Sequence, residues 1–194
     1  MNSRDFWYDV LRSGAVLGIV MALSSIFERY VLVFSDLSLG AAALAYFGEW
    51  LVTYILFVWL LVRFTRRRRE ATDPQFGFSY SSVLSYILLI SMLAGVIVGV
   101  AETLFISAMG FDSFVAGNAE RLTEVRTMYQ NMGIGGSELK IFDDMIHAIR
   151  TSVQPSMLQS VFSSFSHYIM VGGIPGLIIA GFMRRDPQIP VSEN

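Results

Sequence analysis

Four apolar runs, at about 11–34, 43–64, 79–109 and 161–183, dominate this 194-residue chain. Each is as long as the roughly 20 residues a helix needs to cross a bilayer. Hydrocarbon offers no water to unpaired backbone groups, so a run of this kind folds as a helix that satisfies its own amides and carbonyls. With 54% hydrophobic against 15% charged residues, the composition is too apolar for an ordinary soluble domain. The expected fold is therefore all-α: a polytopic membrane protein, residues 1–194 forming a single membrane domain. Cysteine is absent, which excludes disulfides, thiolate metal sites and cysteine nucleophiles. Cleavage of a signal peptide is disfavoured by the acidic residues of the amino end and by the apolar run that continues past Ser25. Met1 to Asp9 mixes charge with Phe6, Trp7 and Tyr8, a pattern suited to a segment lying along the membrane surface.

Between the second and third runs stands Arg63-Phe64-Thr65-Arg66-Arg67-Arg68-Arg69-Glu70. Arginine and lysine are retained on the cytoplasmic side of a membrane, so this run orients the chain. Arg4, Arg12, Arg184 and Arg185 fall on the same side, which places both termini in the cytoplasm of a bacterial inner membrane. Arg66, Arg67, Arg68 and Arg69 are expected to meet anionic lipid headgroups from a turn between two spans, and nucleic acid is not expected as a partner.

Residues 112–154 are amphipathic and charged. Val115, Asn118, Leu122, Val125, Tyr129 and Met132 recur at helical spacing, then Gly133, Gly135 and Gly136 interrupt, and Leu139, Phe142, Met145, Ile146 and Ile149 form a second stripe. An extracytoplasmic helical hairpin is the expectation, with Ser137 as the N-cap of its second helix and Pro155 opening the helix that follows. A disordered tail is expected over 186–194.

Membrane helices pack closely where small residues let backbones approach. Gly14 and Gly18 in the first span, Gly95 and Gly99 in the third, and Gly172 and Gly176 in the fourth form such stripes, so these three helices are expected to make the core. Tyr46, Phe47, Trp50, Tyr54, Phe57 and Trp59 give the second span a bulky face for lipid or a partner. Gly172-Gly173-Ile174-Pro175-Gly176 is expected to kink or interrupt the fourth span, because proline removes a backbone bond.

Ionisable groups inside spans cost about 2.5–3.5 kcal/mol each at the membrane centre, so each needs a partner or water. Glu28, Arg29, Glu49, Glu102 and His167 all fall in the third of the membrane nearest the hairpin, given a rise of about 1.5 Å per residue. The layer reads in three ways: an internal salt-bridge network, a proton or cation site, or a pocket for a polar headgroup. The chain carries no phosphate loop, dinucleotide fingerprint, HExxH or GxSxG, and no cofactor is expected.

The Gly14-Ala15-Val16-Leu17-Gly18 opening of the first span, the basic segment before Phe76-Gly77-Phe78-Ser79-Tyr80, the long third span and the hairpin containing Asn131-Met132-Gly133 together resemble the bacterial domain-of-unknown-function family 4199, from about Arg12 to Arg185. The resemblance implies four spans and no known activity. It also implies genes lying near membrane glycosyltransferases, hence a non-catalytic accessory or scaffold protein acting through protein or lipid contacts. The alternative is a small transporter or proton- and cation-handling protein built on the carboxylate layer.

Overall fold

The apolar runs become helices, and helices with few breakers in them grow past the hydrocarbon limits until a cap, glycine or proline stops them. The computed structural model describes residues 3–133 and 135–188. Helix α1 spans Ser3–Arg29 and passes into a π-helical turn at Tyr30–Phe34, and α2 spans Leu39–Ala71. Helix α3 spans Tyr80–Met109, α4 Phe111–Asn131, α5 Ser137–Arg150 and α6 Met157–Met183. Helices α1 (with its π-helical turn), α2, α3 and α6 are each long and apolar enough to cross a membrane. The described residues contain no strand, and one isolated bridge joins Phe78 to Arg185.

Helix boundaries depart from the sequence reading in physically simple ways. Residues 3–9 are the first turns of α1 and not a separate surface segment. The arginine run is the last part of α2, not a turn, because nothing from Arg63 to Ala71 breaks a helix. Gly136, with φ 72°, precedes α5 as its cap residue, and Ser137 is already inside the helix. Pro155 lies before the N-cap of α6, whose Ser156 hydroxyl accepts from the Gln159 amide at 3.2 Å. Helix α6 continues through Pro175 without interruption. Residues 186–188 of the expected tail are held, with the Gln188 amide donating to the Pro74 carbonyl at 3.0 Å. The rest of that tail, 189–194, and Met1 and Asn2 lie outside the described residues.

Helix α3 is the axis of the bundle, with Val83, Tyr86, Ile87, Ile90, Ala94 and Val98 buried along it. A methyl group on Gly99 would stand 2.7 Å from the Val161 Cα of α6, and one on Gly95 2.8 Å from the Phe165 Cα. On the other side, methyl groups on Gly14 and Gly18 of α1 would press on Leu93 and Ile97 of α3 at 2.8 Å. Backbones this close leave no room for a side chain. Phe57, grouped by its spacing with the outward aromatic face of α2, is instead 2% exposed and meets Tyr168 edge-on at 6.0 Å.

The hairpin is attached by a few definite contacts. Gly110, at φ 87°, turns α3 directly into α4. Gly117 lets α4 approach the turn after α1, since a methyl there would lie 2.7 Å from the Val33 carbonyl oxygen. Arg121 donates to the carbonyls of Leu32 at 3.0 Å and Leu37 at 2.8 Å and to that of Ser35. Those carbonyls border the π-helical turn, where the helix ladder no longer satisfies them. Helices α4 and α5 close on each other through the Tyr129 and Phe142 rings, 5.1 Å apart, and a two-pronged Arg126–Asp143 pair at 2.7 and 3.2 Å.

Gly99→Leu should lower the melting temperature of the detergent-solubilised protein by an amount equivalent to about 1–3 kcal/mol, the usual cost of overpacking. Gly48→Ala, which meets nothing within 4 Å, should leave it unchanged or slightly raised. Arg121→Ala should speed amide exchange across α4 by about tenfold, as expected when charge-assisted bonds to carbonyls are lost. Unchanged exchange there would remove Arg121 as the hairpin's attachment.

Candidate functional site

Close packing of α3 against α1 and α6 positions the polar side chains near the hairpin end of the bundle. A cavity of about 350 Å³ opens there, bordered by Ser24, Ser25, Glu28 and Arg29 of α1, Glu102 of α3, and His167 of α6. Thr53 of α2 also lines it and links it to Glu49. The structure thus gathers Glu28, Arg29, Glu102 and His167 around one space, with Glu49 one hydrogen bond away.

Arg29 and Glu102 form an ion pair at 2.8 Å between α1 and α3. Ser25 donates to the other oxygen of Glu102. Glu49 accepts from Thr53, one turn along α2, at 2.7 Å and from Ser24 across the gap to α1. Each of these two carboxylates is therefore held by a donor on its neighbour helix, which is how a charged group is tolerated away from bulk water. The guanidinium of Arg29 also lies 5.8 Å from the Phe114 ring of α4, so the pair is roofed by the hairpin. Its Nε is buried without an acceptor.

Glu28 differs from its neighbours. It lines the same cavity but makes no hydrogen bond or ion pair among the described residues, although the charges of Glu49, Arg29 and Glu102 act on it. His167 is exposed and stands edge-on to Tyr168 at 5.7 Å. Among the described residues no three histidine, aspartate or glutamate side chains converge as metal ligands. The arrangement can bind a proton or a small polar group at Glu28, while Glu49 and Glu102 are committed to other helices.

Ser24, Ser25 and Thr53 escaped the sequence reading, which weighed only ionisable groups. Their signal was present: Ser24 and Ser25 stand one turn before Glu28 and Arg29, and Thr53 stands one turn after Glu49. At that spacing Thr53 shares a helix face with the Glu49 it serves, while Ser24 and Ser25 share the face of Glu28 and Arg29 and from it reach Glu49 and Glu102 on the neighbouring helices.

The basic run separates at the far end of the bundle. Arg66 pairs with Glu70 at 3.1 Å on an exposed face, and Arg67 is exposed. Arg68 departs from the expected headgroup contact, being 5% exposed with its guanidinium 5.2 Å from the Phe6 ring. The reason is helical phase, since Arg68 continues the buried row of Phe57, Leu61 and Thr65.

Glu102→Gln should destabilise the protein by about 1–3 kcal/mol, below the full cost of breaking a buried pair because Arg29 and Glu102 are 31% and 16% exposed. Glu28→Gln should be neutral or mildly stabilising, because it has no partner to lose. Thermal unfolding of both variants in one detergent reads the difference. Equal losses would contradict the division of roles.

The chain's residues 12–185 match the model of a family described as a protein of unknown function, DUF4199. No curated protein and no solved structure matches it. With nearly the whole chain covered, this multi-pass helical protein belongs to the DUF4199 family.

Proposed function

We propose that this chain is a non-catalytic accessory protein of the bacterial inner membrane that acts through contacts with lipid and with a membrane protein partner. In this reading both termini are cytoplasmic and the α4–α5 hairpin lies outside, as the crowding of arginines at the opposite end favours. The observation that carries the reading is the commitment of the intramembrane charges: Glu102 is bound by Arg29 and Ser25, and Glu49 by Ser24 and Thr53. Side chains engaged in this way tie helices together and have little freedom to cycle with a substrate.

The hairpin supplies the docking surface. A hollow of about 1230 Å³ lies between α4 and the start of α2, its wall combining Val115, Ala119 and Met128 with Glu120, Thr123 and Thr127. Mixed apolar and polar lining of this size suits a protein segment better than an ion. A membrane glycosyltransferase is the partner class that the family resemblance implies. The lone carboxylate of Glu28 favours a second reading, transport of protons or a cation through the cavity.

Reconstituted vesicles separate the two. An imposed pH or potassium gradient should dissipate no faster with the wild-type chain than in protein-free vesicles, and Glu28→Gln should behave identically. A photo-crosslinking residue at Thr127 should capture one discrete membrane protein in native membranes, whereas one at exposed Val52 should not. Gradient loss that Glu28→Gln abolishes would replace the accessory reading by the transport one.

A further inference from the structure

The chain after α6 does not leave the bundle freely. The Phe78 amide donates to the Arg185 carbonyl at 2.7 Å and the Arg185 amide returns to the Phe78 carbonyl at 2.9 Å. Gly77, at φ 65°, is required for this contact, because any side chain there would meet the Arg185 carbonyl oxygen at 2.8 Å. The Arg185 guanidinium donates to the Thr72 carbonyl just beyond α2. Arg185 is thus fixed by its backbone and by one side-chain bond, which leaves most of its donors uncommitted, and its Nε is buried without an acceptor.

This staple brings Arg185 to the end of α2. Arg66, Arg69, Glu70, Phe182, Met183 and Arg185 enclose a cavity of about 390 Å³ between the ends of α2 and α6. Arg66 is paired with Glu70. The side chain of Arg69, half-buried, has no hydrogen-bond or ion-pair partner among the described residues. Two arginines from separate elements therefore line one space, neither with an ion-pair partner among the described residues. Phe182, 81% exposed, lies at its edge and offers an apolar surface. Guanidinium forks match the paired oxygens of a phosphate, and an apolar rim beside them matches an acyl chain.

We propose that Arg69 and Arg185 form a clamp for the phosphate of one anionic phospholipid, with Phe182 and Met183 against its acyl chain. The clamp rests on the membrane placement proposed above and gives the lipid contact of that reading a definite site. It differs from general attraction between a basic surface and a charged leaflet in depending on position as well as on charge.

The test is native mass spectrometry of the full chain, released from detergent containing equal amounts of phosphatidylglycerol and phosphatidylcholine. The wild type should retain phosphatidylglycerol selectively. Arg69→Gln and Arg185→Gln should each lower that retention about tenfold, the size expected for losing one charge-assisted contact. Arg67→Gln removes the same charge from outside the cavity and should leave retention unchanged. Arg69 takes no part in the staple, so its variant reads the clamp even where Arg185→Gln loosens the chain end. Prior insertion into vesicles, checked by protease protection, separates failure of the clamp from failure of the membrane placement. An equal loss in Arg67→Gln would overturn the clamp in favour of a diffuse field. Displacement of the lipid by excess inorganic phosphate would overturn it in favour of a soluble phosphate ligand.

Discussion

Everything in this bundle depends on how closely α3 approaches its two neighbours. Lipid tails are as apolar as leucine, so burying one helix against another gains little from the hydrophobic effect, and contact must be won by dispersion between well-fitted surfaces. Gly95 and Gly99 let the backbone of α6 come into contact with α3, while Gly14 and Gly18 do the same from the side of α1. Gly14 and Gly18 lie against the side chains of Leu93 and Ile97, whereas Gly95 and Gly99 lie against the α6 backbone at Phe165 and Val161. The result is a three-helix slab with α3 in the middle, and the placement of each polar group is set by it.

The slab explains why the intramembrane charges meet. Glu102 is one heptad beyond Gly95 and shares its general direction, and Arg29 lies just past the face of α1 on which Gly14 and Gly18 sit. With α6 packed on the Gly95 face and α1 on the face of Leu93 and Ile97, Glu102 lies within reach of Arg29 and the two pair at 2.8 Å. At the opposite end the same registration places the Tyr86 hydroxyl 3.0 Å from both Asp9 and Ser13. Glu102 at one end and Tyr86 at the other are thus bonded by side chains of α1, which fixes the register of α1 on α3 as well as its distance.

What could be read in the sequence was governed by period and by length. Apolar runs longer than the bilayer is thick left little choice but four helices, and glycines spaced four apart marked where helices touch. Helix ends were less legible, because α2 passes from Phe64 to Ala71 through residues that tolerate helix but are too polar for a hydropathy window. Phe57 was placed outward with its aromatic neighbours, although it stands one turn from Leu61, two from Thr65 and three from Arg68 on the buried row. The π-helical turn at Tyr30–Phe34 has no composition signal of its own, and it is this turn that frees carbonyls for Arg121. The Phe78–Arg185 bridge joins residues more than a hundred positions apart, and nothing local announces it.

Helix α2 shows what the polar layer does for the fold. Its second half is buried at Phe57, Leu60, Leu61, Thr65 and Arg68, whereas its first half, from Leu39 to Leu56, has Ala42 as its buried residue. Leu44, Phe47, Trp50, Val52 and Ile55 face outward, and the rings of Phe47, Trp50 and Tyr54 stack on one another along the helix. Apolar packing within the protein therefore holds α2 at one end and releases it at the other. The bonds from Ser24 and Thr53 to Glu49 lie in that loosely packed half. A hydrogen bond to a carboxylate is stronger where water is scarce, so a few such bonds substitute for the missing interdigitation. On this view Glu49 is a clasp, and the intramembrane carboxylates stand where they do because the bundle needs polar ties where its small-residue packing ends.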